Sequence, residues 1–248
     1  MASYLGVDWA SGCWLVVKAG DDPLVTTEPS ILNVWHEHGD DVRSILVDIP
    51  IGLPEEGPRE CDEEARQFLK GRGSTVFSVP GREVVETDDY GEARENNDGS
   101  LGSQSWWLFP RIKEVDVFLQ EYDDARKKTY ESHPEVCFAK LAGEGLPAKD
   151  TEEGVEERVE LLNDDPELPE EISGIPERYD EKSEWHERIS KGRLDDVVDA
   201  AVLAYTAKQL ELGPRDGDHL YHAFRCDANQ RDEELGITPE IVHPGPIG

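Results

Sequence analysis

Residues 4–20 read YLGVDWASGCWLVVKAG, and this stretch decides the fold. Residues 4–8 and 13–18 are apolar, strand-like runs joined by Ala-Ser-Gly, the pattern of a β-hairpin. Asp8 closes the first run. A carboxylate at the end of an apolar strand must be paired, solvated or bound to a cation, because burying it alone costs too much. Asp is equally at home as the first residue of a turn, so the hairpin by itself leaves both readings standing.

The next strand tips the balance. Residues 44–49 (SILVDI) form a continuous apolar run of the kind found in a parallel sheet covered on both faces. Asp48 ends it, ahead of Pro50, Gly52 and Pro54, and so repeats the arrangement of Asp8. In open α/β sheets ligands gather outside the carboxyl ends of the strands. Between the two strands, residues 23–28 supply a third short strand. Ser30 stands as N-cap of a short amphipathic helix that Gly39 ends.

Residues 55–128 read as a long insertion. Residues 58–71 look helical, with Arg59, Asp62 and Arg66 along one side. The loop around 96–104 is followed by a helix over about 105–126, whose aromatic residues are most economically core. Residues 129–141 (TYESHPEVCFAKL) resume strand character; alternation sets Glu131, His133 and Glu135 on one face, and Pro134 is the residue that would break that register. Residues 142–192 are rich in Gly, Pro and acids and read as a solvated lid or insertion with one helix near 152–163. Residues 194–210 (LDDVVDAAVLAYTAKQL) are the clearest helix. Asp195 is its expected N-cap, and Asp196 suits the first turn. Asp199 lies one turn further in and forms with Asp196 an i,i+3 pair facing one way.

The composition carries 56 acidic against 25 basic residues, a formal charge of −31. The acids are spread along the whole chain, and Lys (10) is scarcer than Arg (15). Such a surface repels itself at low salt, where the Debye length is about 30 Å at 0.01 M, and becomes tolerable near 1 M, where it is about 3 Å. A cytoplasmic protein of a salt-loving organism is the expectation. The four cysteines form no CxxC pair, which argues against structural zinc. No apolar run approaches the roughly 20 residues that span a bilayer, and the N-terminus carries no pattern of a signal peptide.

Acids thus mark the first strand (Asp8), the fourth (Asp48), the fifth (Glu131 or Glu135) and the last helix (Asp196, Asp199). Mg²⁺ and Mn²⁺ prefer carboxylate oxygen, and phosphodiester hydrolysis commonly uses two such ions about 4 Å apart. The pattern resembles the α/β ribonuclease H-like fold, a five-stranded mixed sheet of order 3-2-1-4-5 flanked by helices. The final DDVVDA is similar to the acidic helix of the Holliday-junction resolvase branch. More closely, GVDWA, VDIPIGLP, RECDEEAR, QSWWLFPRIKEVD, ESHPEVCF, LPAKDTEEGVEER and DDVVDA together resemble the domain-of-unknown-function 429 family of nucleases inferred to share that fold.

The resemblance implies one domain over residues 1–248 with insertions at about 55–128 and 142–192. It implies a metal-dependent nuclease acting on nucleic acid. Asp8, Asp48, Glu131, Asp196 and Asp199 would hold two Mg²⁺ or Mn²⁺ ions, and His133 would carry a proton. Arg59, Arg66, Arg111, Lys149 and Arg158 would hold phosphates, although a surface ion pair is the commoner fate of any one cation in so acidic a chain. Two other classes compete. A nucleotide-binding or phosphotransfer protein of the actin-like ATPase type would need glycine-rich phosphate loops, for which GSLGS at 99–103 is a poor match. A binding module that kept the fold without the activity would not need the full set of acids.

Overall fold

A computed structural model describes residues 2–143, 145–163, 165–178, 194–217 and 220–245. Strand β1 (Ser3–Ala10) turns through Ser11 and Gly12 into β2 (Cys13–Ala19). Both turn residues have positive φ, 51° and 88°, as the tight turn that matches the twist of a hairpin requires. Strand β3 (Leu24–Glu28) adds antiparallel to β2. Helix α1 (Ile31–His38) follows, capped as expected by Ser30, whose Oγ accepts from the amide of Asn33. Strand β4 (Val42–Val47) then returns parallel to β1.

Five helices separate β4 from the last strand of the sheet: α2 (Glu60–Phe68), α3 (Arg82–Glu86), α4 (Tyr90–Asn96), α5 (Ser103–Glu121) and α6 (Asp123–Lys128). The single helix expected over 105–126 is broken at Tyr122, whose ψ of 88° is not helical. Strand β5 (Thr129–Glu131) pairs parallel with β4 and completes a sheet of order β3-β2-β1-β4-β5.

The strand expected over 129–141 stops after three residues. Pro134 opens helix α7 (Pro134–Ala142), because its fixed φ suits the first helical position and its missing N–H is no loss there. Helix α8 (Glu152–Glu160) and the long helix α9 (Asp195–Gln209) follow. Leu194, not Asp195, occupies the N-cap of α9; Asp195 is already inside the helix. Of the 142–192 stretch, residues 144, 164 and 179–192 lie outside the described residues. Strands β6 (Ala223–Arg225) and β7 (Glu240–Val242) pair as a small second sheet. Val242 also bridges Ser132 just beyond β5.

Side chains alternate across the large sheet and divide the core in two. Leu5, Val7, Trp14, Val16, Ile45 and Val47 face α1 and α5. Tyr4, Leu15, Val17, Leu46 and Tyr130 face α7, α8 and α9. Helix α9 is buried nearly all round, which its run of alanines and valines permits. On the other face Glu114 of α5 accepts from the Trp14 indole and the Ile31 amide, both at 2.9 Å, and so ties the insertion to the hairpin. Among the described residues no helix is long and apolar enough to cross a membrane.

Candidate metal centre

Strands β1, β4 and β5 run parallel, so their carboxyl ends share one edge. Val7, Val47 and Glu131 stand in register across them, and the next residues, Asp8, Asp48 and Ser132, therefore emerge side by side. Backbone bonds continue one step past the strands: the Asp48 amide reaches the Val7 carbonyl and the Ser132 amide reaches the Val47 carbonyl, each at 3.0 Å. Parity decides the faces. Asp8 and Asp48 follow residues of the α1/α5 face and so project with Leu46 toward α9.

Gly6 lets α9 come down onto that face. A Cβ at position 6 would lie 2.0 Å from the Ala200 carbonyl oxygen and 2.4 Å from the Ala204 amide, so only glycine allows this approach. The N-terminal turns of α9 are thereby laid over the end of β1. Asp8, Asp196 and Asp199 are buried there, each offering an oxygen within 4.8 Å of the others. Asp48 lines the same cavity of about 210 Å³.

Crowding marks the electrostatics. Burial, then the charges of Asp48, Asp196 and Asp199, push the Asp8 carboxyl well above the usual carboxylate range. Burial also raises Asp48, with His133 opposing it and Asp199 adding to it. Lys149 supplies counter-charge: its Nζ donates to Asp199 Oδ2 at 2.5 Å and lies 3.8 Å from Asp195. Burial pulls the Lys149 ammonium down, but Asp199, Asp8 and Asp195 together outweigh it and leave the ammonium more basic than usual. Gly154 of α8 lets the segment before Lys149 pack closely, because a Cβ there would meet the Ala148 carbonyl at 1.9 Å. The second oxygen of Asp199, Oδ1, is buried without a hydrogen-bond partner. A set of carboxylate oxygens, one of them orphaned, is the kind of ligand set that hard divalent cations take.

Glu131 lines the same cavity but is not part of the close aspartate group; it stands in register with Val7 and Val47, one residue short of the level of Asp8 and Asp48. There Arg59 grips it with two bonds of 2.7 and 2.5 Å, and the Ile51 amide donates to it at 2.7 Å. Arg59 also holds Asp62 and is wholly buried. Two carboxylates share this one guanidinium; burial raises Glu131 to about 7 against the pull of Arg59.

Arg59 and Arg158, expected to hold phosphates, are thus occupied within the protein. Arg158 is buried and spends its donors on Glu135 and on the Pro147 and Gly154 carbonyls. Arg111 lies 4.1 Å above the Trp9 ring and pairs with Glu114. Arg66 is exposed in the last turn of α2, beside a neighbouring cavity. His133 lines the acidic cavity at the N-cap of α7, not on a strand. Its Nε2 faces the Thr75 carbonyl at 3.2 Å and so carries the proton of that bond, while Nδ1 is buried without a partner.

Trp9, Val76, Phe77, Leu108 and Ile241 also line the cavity and are not among the site residues expected from sequence. Trp9 alone had a signal, as the neighbour of Asp8 at the strand end. The others come from the insertion and the tail, brought in by long-range contacts. One such contact is buried Asp232, which accepts from the Leu53 amide at 2.7 Å and from Arg82 at 2.8 Å.

The sheet order and the buried acids at its carboxyl edge define a ribonuclease H-like α/β protein with a candidate metal centre. The chain belongs to the family described as "Protein of unknown function (DUF429)", whose model matches residues 6–220. No curated protein and no solved structure matches it.

Proposed function

We propose that the protein is a metal-dependent nuclease that hydrolyses phosphodiester bonds at the cluster of Asp8, Asp48, Asp196 and Asp199. The observation that carries this reading is the meeting of three buried aspartates from β1 and α9 within 4.8 Å, at the edge of a ribonuclease H-like sheet. Mg²⁺ or Mn²⁺ bound there supplies an acidified water and offsets charge on the phosphoryl oxygens. The chain's own groups do the rest. Asp8 and Asp199 contribute ligand oxygens from two elements, so neither can shift without the sheet–helix contact shifting. Lys149 orients Asp199 and places a positive charge at the rim. His133, its Nε2 proton engaged by Thr75, offers the lone pair of Nδ1 to a proton of the attacking water. Glu131 and Arg59 act as a brace for the turn that carries Asp48, since Arg59 also bonds the Ile51 and Gly52 carbonyls.

The Lys149–Asp199 pair favours a second reading, a binding module in which an ammonium takes the place of a cation. One assay separates the two. Wild type and Asp8→Asn, both shown to be folded, are offered single-stranded, duplex and branched DNA and RNA with Mg²⁺ or Mn²⁺. The nuclease reading expects wild type to cut at least one substrate and the variant to be slower by about a thousandfold or more, since metal activation of water supplies much of the rate. If wild type cuts none, or the variant cuts as fast, the binding module replaces it.

A further inference from the structure

A groove of about 450 Å³ adjoins the acidic cavity, within the roughly 300–1,000 Å³ of ligand clefts. Val76 and Phe77 line both spaces and form their shared boundary. The two differ sharply in charge. The cavity is lined by Glu131 and five aspartates against Arg59 and Lys149; the groove presents Arg66, Asn97 and the hydroxyls of Ser74, Ser78, Ser100 and Ser105, with no carboxylate among the described residues that line it. In a chain where 56 of 248 residues are acidic, that is a departure from the rest of the surface. Cavities elsewhere carry Asp165 and Glu170, or Asp40, Asp124 and Asp216.

Four polar side chains of the groove, Arg66, Ser74, Ser78 and Ser105, are also free to bind. Arg66 is exposed and has no ion-pair or hydrogen-bond partner among the described residues, whereas Arg59, Arg82 and Arg158 are held by carboxylates. The hydroxyls of Ser74, Ser78 and Ser105 likewise bond to no described group. The rim includes the GSLGS loop, where Asn97 and Ser100 hold each other at 3.1 Å. Helix α5 starts from it at Gly102, with no side chain capping its first amides. Neutral hydroxyl, amide and backbone donors bind phosphate oxygens and sugar hydroxyls. They depend far less on salt than a basic stripe, whose affinity comes from counterion release.

We propose that this groove binds the sugar–phosphate backbone of a single nucleic-acid strand on one side of the bond presented to the acidic centre. The proposal rests on the nuclease reading and names its substrate as an extended strand: a mononucleotide at the aspartates would leave the groove empty, and a strand fills both spaces.

The test uses the full chain in the Asp8→Asn background, which prevents cutting, with Mn²⁺ and a fluorescein-labelled 12-mer of deoxythymidine read by anisotropy. Arg66→Glu and Ser78→Glu each place a carboxylate in the groove and should weaken binding tenfold or more. Arg43→Glu, at the amino end of β4 and so away from the site, should leave it unchanged. Circular dichroism confirms that each variant is folded. The groove proposal is overturned if the parent does not bind the 12-mer, or if both groove variants bind as the parent does. A separate Mn²⁺ titration of wild type by calorimetry judges the metal centre. Mn²⁺ binding with silent groove substitutions removes the groove and leaves the centre; groove-dependent binding of the 12-mer without Mn²⁺ binding does the reverse.

Discussion

Asp8 carries more of the proposed chemistry than any other side chain, and the same crowding makes it a burden on the fold. Asp8→Asn removes one charge from the group of Asp48, Asp196 and Asp199 at nearly constant volume. Without metal, the melting temperature of the variant should equal or exceed that of wild type, because like charges no longer compete for one small space. Adding Mn²⁺ should raise the wild-type melting temperature by mass action and leave the variant's unmoved. Equal shifts in both proteins would show that the ion binds elsewhere. His243 allows a test that is independent of the site. Burial lowers its pKa from 6.5 to about 4. A histidine kept neutral by the fold adds stability that is complete above 6.5 and declines as pH falls toward 4, because the unfolded chain takes up the proton first. His243→Gln should therefore lose less urea resistance than wild type between pH 7 and pH 4.5. Parallel losses in the two proteins would contradict that role.

At the scale of elements, the site depends on how closely α9 lies on β1. Gly6→Ala puts a methyl group into the backbone of α9 and should cost about 3 kcal/mol or more, the upper end for overpacking. Thermal or urea unfolding measures that cost. A variant as stable as wild type would mean that the helix can ride higher without loss. The acids of β1, β4 and α9 were legible because strand ends and an i,i+3 helix pair are local patterns. Glu131 and its neighbours were harder. The alternation over 129–135 looks like a strand, but Pro134 starts a helix, and the face of Glu131 is set by register with Val7 and Val47, which no local pattern reveals. Arg59 and Arg158 looked like surface cations for the same reason. Burial of a guanidinium depends on carboxylates 72 and 23 residues away.

Across the whole molecule, the charge of −31 is the dominant quantity. We expect the helical circular-dichroism signal to fall on dialysis to about 0.01 M salt and to return near 1 M KCl, as the Debye length shrinks from about 30 to about 3 Å. A signal indifferent to salt would remove the inference of a salt-loving origin. The tail, where sequence offers only a possible strand over 220–225 that overlaps β6, matters to the molecule: β7 lies against the end of β5, and Ile241 lines the cavity. Short strands and a buried Asp232 leave almost no pattern in sequence, since each is stabilised by residues far along the chain. The most direct test of a metal centre at the sheet edge is a crystal of the wild-type protein soaked in Mn²⁺ and measured at the manganese absorption edge. Anomalous peaks should lie between Asp8, Asp196 and Asp199, with Asp199 Oδ1 as a ligand. A map with no peak among these aspartates at saturating Mn²⁺ would contradict the metal centre outright.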